Sequence, residues 1–186
     1  MLAIGLLVGA LLAGGCGGDD EEPENGVQQQ PEGAVEGTGY SFVAPQGWQD
    51  ASELFAGSAI RVDAAYAEPA PQDGFATNVN VIRETPRGLD ADRFDDYAQQ
   101  LREQASALAT DAGPSAIEET ELDGEPARTW SYESRRREQP RVRQQQVVVI
   151  HADALYTVTW SARRAIFEES QAELQRLLDS WRWSRR

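Results

Sequence analysis

Five arginines crowd the stretch SRRREQPRVRQ, namely Arg135, Arg136, Arg137, Arg141 and Arg143, and a further pair, Arg163 and Arg164, begins twenty residues after Arg143. A guanidinium stays charged and forks its donors toward a carboxylate or a phosphate, so the chemistry on offer is anion binding. Other chemistry is poorly supplied. His151 is the only histidine, whereas a zinc or iron site normally wants two or three such ligands with carboxylates. The acid pairs Asp95-Asp96, Glu118-Glu119 and Glu168-Glu169 suggest glycosidase carboxylates only if they face one another across a cleft, and adjacent acids are usually solvated charge. There is no Gly-x-Ser-x-Gly elbow and no phosphate-cradling glycine loop. The expectation is a protein without catalysis, metal or cofactor, with His151 a surface or strand-end residue beside the Ala152-Asp153 turn.

The elements that must position the arginines are legible from periodicity. Short strands are predicted at 40–44, 58–66 and 75–83. Ile60, Val62, Ala64 and Tyr66 should share one face against Arg61 and Asp63, and Phe75, Val79 and Val81 should oppose Asn78 and Asn80. Asp90 caps a helix predicted to run to 109, with Phe94, Tyr97, Leu101, Ala105 and Leu108 along one face, and Gly113-Pro114 stops it. Strands at 115–122, 126–134, 141–151 and 154–161 form an antiparallel meander. A second helix, 167–179, carries Phe167, Leu174, Leu177 and Leu178 and precedes a last strand at 181–183. The class is α+β: an antiparallel meander sheet packed with two helices. Because alternate turns of a meander lie at opposite ends, the 135–143 hairpin and Arg163-Arg164 should share one end, with Asp123, Glu125 and Asp153 at the other.

The amino terminus poses a separate question. The first charged residue is Asp19, and the apolar run before Cys16 is shorter than the roughly 20 residues that span a bilayer but long enough for a secretory signal. Leu12-Ala13-Gly14-Gly15 before the only thiol resembles the lipobox of bacterial lipoproteins, with Ala13 where that motif prefers Leu. The resemblance implies a signal peptide at 1–15 and lipidation, including palmitate, on Cys16. The absent basic n-region points to a translation start upstream of Met1. Residues 17–37 hold seven acids, no base and almost nothing to bury, which predicts an acidic, disordered tether with about 25 Å of root-mean-square reach. The remaining 38–186 suits one domain.

The net charge is −14, and without the seven tether acids it is −7. Its layout is uneven: 38–130 has 17 acids and 6 Arg, whereas 131–186 has 7 acids and 11 Arg. An exported acidic protein is a poor binder of nucleic acid.

The order of motifs narrows the fold. A short strand enters the turn Pro45, Gly47, Trp48; an Asn-Val-Asn-Val strand covers 78–81; an amphipathic helix bears Phe94 and Tyr97; a meander follows; and the last helix closes on Ser180-Trp181-Arg182-Trp183. This order resembles the PsbP-like fold, and its LpqN-type bacterial lipoproteins most closely. The resemblance implies an α/β/α sandwich, core positions for Trp48 and Trp181, and a non-catalytic binding or assembly module with no shared catalytic residue to carry over.

Together these readings predict an extracytoplasmic protein, held to the cell membrane by its lipid, that binds or scaffolds at the envelope. Its candidate site is the arginine end: Arg135, Arg136, Arg137, Arg141, Arg143, Arg163 and Arg164. Suitable partners are anionic lipid headgroups, an acidic polymer or an acidic protein surface. The competing reading is an envelope hydrolase or small-ligand carrier with an internal pocket.

Overall fold

A computed structural model describes residues 33–56, 61–110, 112–134 and 140–184. The predicted signal peptide, Cys16 and most of the tether lie outside the described residues, as do Arg135, Arg136 and Arg137. The end of the tether needs correction. Ala34–Gly37 forms strand β1, because Val35 is an apolar side chain that the hairpin with the following strand buries.

The described chain continues through β2 (Tyr40–Val43), β3 (Gln49–Asp50), a 3-10 turn (Ser52–Phe55), β4 (Val62–Ala67) and β5 (Asn78–Glu84). A second 3-10 turn (Ala91–Arg93) leads into α1 (Phe94–Ser106). The meander is β6 (Glu118–Leu122), β7 (Glu125–Ser134), β8 (Val142–His151) and β9 (Ala154–Arg163), followed by α2 (Phe167–Ser180) and β10 (Arg182–Trp183). Seven strands form an antiparallel sheet in the order β3-β4-β5-β9-β8-β7-β6, and a small sheet has the order β1-β2-β10.

Alternation along the strands decides which helix each residue meets. Trp130, Tyr132 and Val148 pack with Ala98, Leu101 and Ala105 of α1. Their neighbours Ala127, Val147 and Val149 point the other way, to Phe167, Leu174 and Leu177 of α2 and to Tyr40 and Phe42 of the small sheet. The result is the α+β sandwich, with a helix on each face of the large sheet. β9 sits at its centre and buries nine of its ten residues.

Two expectations from periodicity are corrected, in β4 and in the first helix. In β4 a bulge between Val62 and Ala64 breaks the alternation, so Val62 packs beside Leu54 and Phe55 while Ala64 and Tyr66 face α2. Asp63, at the bulge, accepts from both the backbone N–H (2.9 Å) and the hydroxyl (2.8 Å) of Thr38, which docks the β1–β2 turn. In β5, Asn80 opposes Val79 and Val81, as expected. It is buried on the α1 side of the sheet beside Thr159, and Gln144 and Gln146 lie on that side too, donating to Ser161 Oγ (2.9 Å) and Thr159 Oγ1 (3.4 Å). In the first helix Asp90 caps the 3-10 turn by accepting from Asp92 N–H (3.0 Å), and the α-helix ends at Ser106 because Ala109 is drawn into a bridge with Ser134.

The small sheet ties the two ends of the described chain together. Trp181 stacks on Tyr40 (centroids 4.4 Å apart) and on Phe42 (5.6 Å), and Ser184 N–H donates to Gly39 C=O (3.0 Å). The Tyr40 ring lies directly over Gly37, where a Cβ would fall inside it, so this strand position admits only glycine.

Candidate functional site

The meander brings the arginines together as its geometry requires. Val142 pairs with Arg163 and Arg143 with Ala162, while Arg164 N–H donates to Arg141 C=O (2.8 Å). Four of the seven predicted arginines, Arg141, Arg143, Arg163 and Arg164, therefore share one end of the sheet.

Three of the four charges are paired. Arg143 donates to Glu168 Oε1 (2.9 Å) and Ser131 Oγ (3.2 Å), and its guanidinium lies 4.8 Å over the Phe167 ring. Arg163 donates to Asp73 Oδ2 and to Gln72 Oε1, each at 2.6 Å. Arg164 donates to Glu133 Oε1. Arg141 is exposed, with no carboxylate partner among the described residues. Two of the acids at the other end are likewise countered by arginines, and the third contacts the lone histidine. Asp123 faces Arg182 (3.6 Å), Asp153 faces Arg83 (3.7 Å), and Glu125 meets His151 (2.9 Å). Among the described residues, Arg143, Arg163 and Arg164 at one end and Asp123 and Asp153 at the other are thus countered by charges that tertiary packing brings from elsewhere in the sequence.

His151 ends β8, as expected for a strand-end residue, but it is less exposed than that position suggests. Its ring stacks on Trp183 (4.2 Å, 8° between planes) and Nδ1 meets Glu125. Trp183 in turn donates from Nε1 to Leu122 C=O (3.1 Å) and from its backbone to Asp123 Oδ2 (2.8 Å). The histidine fastens the last strand to the sheet.

Beside Arg143 a polar groove of about 170 Å³ runs between the sheet and the first turns of α2. Thr129, Ser131 and Gln145 lie along the sheet side, Glu168 and Gln171 along the helix side, and Glu118 of β6 stands at its edge. Gln171 Nε2 is buried there without a partner among the described residues. Such a volume takes one side chain rather than a molecule of drug size. Nothing in the sequence marks Gln145 or Gln171 as special. The one signal is the Gln144-Gln145-Gln146 run, which interrupts an otherwise aliphatic strand.

The shifted acidities mark packing. Burial pushes the Tyr40 phenol far up, with Asp63 adding to the effect, and burial alone pushes Tyr132 up and is the main cause raising the Glu84 carboxyl. Among the described residues no group of three or more His, Cys, Asp or Glu side chains could hold a metal ion, and no helix is long and apolar enough to cross a membrane.

The PsbP family model matches residues 34–183, the whole of the sandwich. The chain belongs to the PsbP family. Among solved structures, this PsbP-family chain is similar to CyanoP, the cyanobacterial PsbP of Synechocystis sp. PCC 6803, with a TM-score of 0.59 and 16% identity over 88% of this chain and 98% of that one. It is also similar to LpqN of Mycobacterium tuberculosis, a protein involved in cell envelope biogenesis, with a TM-score of 0.54 and 12% identity over 85% and 88% of the two chains. PA94 of Pseudomonas aeruginosa matches with a TM-score of 0.53 and 18% identity over 78% and 92%. At these identities the likeness is one of fold. No curated protein matches the chain in sequence.

Proposed function

We propose that this PsbP-family chain is an extracytoplasmic lipoprotein, anchored through Cys16, whose domain binds or scaffolds at the cell envelope without catalysis. The observation that carries the reading is a filled interior. Trp130, Trp160, Trp181, Tyr40 and Phe42 are each nearly or wholly buried and occupy the layers on both sides of the sheet where a carrier or hydrolase would keep its pocket. What the domain engages it therefore meets at its surface. The LpqN likeness is consistent with an envelope setting, and the lone thiol after small residues supplies the anchor.

At the arginine end, an anionic headgroup, polymer or protein has to compete with Glu168, Asp73 and Glu133 for the guanidiniums it meets. Binding there is accordingly weak and sensitive to salt, since screening at 0.15 M ionic strength acts over about 8 Å. The readier cation is Arg141, which is exposed and has no carboxylate partner among the described residues.

The test of the anchor is fractionation of the Cys16→Ser protein beside its parent. It should leave the membrane fraction, because two acyl chains supply the attachment and an acidic tether adds none. Sedimentation with membranes as before would refute the lipoprotein reading. Cosedimentation with anionic vesicles at low and high salt, for the parent and for Arg136→Glu/Arg137→Glu/Arg164→Glu, tests the arginine end separately.

A further inference from the structure

We propose that β6 is a docking edge for an extended basic segment of a protein partner, which adds to the large sheet as an eighth strand. β6 ends the sheet, paired with β7 on one side and with no strand on the other among the described residues. Its connection to β7 is the two-residue loop Asp123-Gly124, with φ of 46° and 83°. In a tight hairpin of this kind the flanking pair, here Leu122 and Glu125, exchanges both hydrogen bonds. Alternation then makes Thr120–Ala127 and Glu118–Thr129 bonded pairs as well, and turns the N–H and C=O groups of Glu119 and Glu121 outward. Two residues thus offer a row of backbone donors and acceptors, on a strand that exposes four of its five side chains. Open edges of this type are templates for strand addition.

Charge selects the occupant. Glu118, Glu119 and Glu121 repel another acidic strand, including β6 of a second copy, and favour Lys or Arg opposite them. Arg128 reaches Glu119 (3.6 Å), whereas Glu118 and Glu121 have no cationic partner among the described residues. The groove strengthens the preference. Glu118, Thr120 and the buried Leu122 share the α2 side of the strand, so an added side chain level with Glu118 points along the groove toward Glu168. Glu168 already accepts one guanidinium, that of Arg143.

The docking edge is β6 itself, its groove reaches Arg143 and Glu168 of the arginine end, and docking does not need the lipid, so its failure and that of the anchor are distinguishable. The experiment is amide hydrogen exchange on the ¹⁵N-labelled full chain in detergent micelles, with acetyl-Lys-Val-Lys-Val-Lys-Val-amide and its Glu-for-Lys counterpart as probes. The basic peptide should slow exchange at Glu119 and Glu121 about tenfold and the acidic one should not. Glu121→Pro removes an outward N–H that the β7 ladder does not use; it should abolish the protection while sparing the melting temperature. Glu118→Lys/Glu121→Lys should reverse the preference between the peptides, and it serves as the second variant if the proline protein does not fold. Absence of slowing, equal slowing by both peptides, or protection that survives Glu121→Pro would overturn the proposal and leave the acids as a guard against self-pairing.

Discussion

Glu84 shows how a single residue can carry a measurable pH dependence away from any site. It ends β5 opposite Leu155, and burial raises its carboxyl above the ordinary value of 4.5. The folded state therefore holds the proton more tightly than the unfolded chain. Its contribution to stability is fully present below the unfolded pKa and is lost as pH rises through the higher folded value. Glu84→Gln should accordingly raise the melting temperature at pH 7 and leave it nearly unchanged near pH 4; equal effects at both values would show that the carboxylate is not desolvated. His151 makes the complementary point. Its place beside a turn was readable, but its partners Trp183 and Glu125 come from a distant strand and a neighbouring one, and no local pattern announces a stacked ring.

At the scale of elements, the amphipathic stripe of α1 was readable because a helix against a sheet must repeat its apolar residues every three or four positions. Leu101 lies in the middle of that stripe, buried against Trp130, Tyr132 and Val148. Leu101→Ala should cost about 2–5 kcal/mol, read as a lower midpoint in denaturant or heat. A silent Leu101→Ala would mean that α1 does not pack on the sheet. On α2, Leu174 and Leu177 are buried, whereas Leu178 is only partly so. The strands were harder to read where the chain departs from period two. The β4 bulge moved Val62 to the opposite face from Ala64, and a bulge of one residue leaves no mark in composition.

For the whole molecule, the boundary of the folded unit is the clearest consequence. β1 lies inside it, with Val35 buried, Gly33 C=O accepting from Ala44 N–H (2.9 Å) and the Thr38 turn held by Asp63 and by the Tyr156 hydroxyl (3.0 Å). A chain beginning at residue 38 should therefore be less stable than one beginning at residue 33. Loss of the Val35 side chain alone is worth about 2 kcal/mol, and the β1–β2 ladder goes with it. Paired denaturant titrations of the two proteins decide this, and equal midpoints would place β1 outside the cooperative unit. The same scale governs charge, since every carboxylate that pairs with Arg143, Arg163 or Arg164 arrives from another element.

The sequence by itself determined the class, the meander, both helices and the gathering of Arg141, Arg143, Arg163 and Arg164 at one end, because each follows from hydrophobic period, turn residues and strand direction, all properties of neighbours along the chain. Only the tertiary structure decided which charges remain free, that Asn80, Gln144 and Gln146 fill a buried polar strip, that a groove opens beside Arg143, and that β6 is left as a sheet edge. These depend on which strands and loops come to lie side by side across separations of 13 to 91 residues, as between Gln146 and Thr159 or Gln72 and Arg163, and pairing at that range is chosen by the free energy of the assembled sandwich rather than by any local preference.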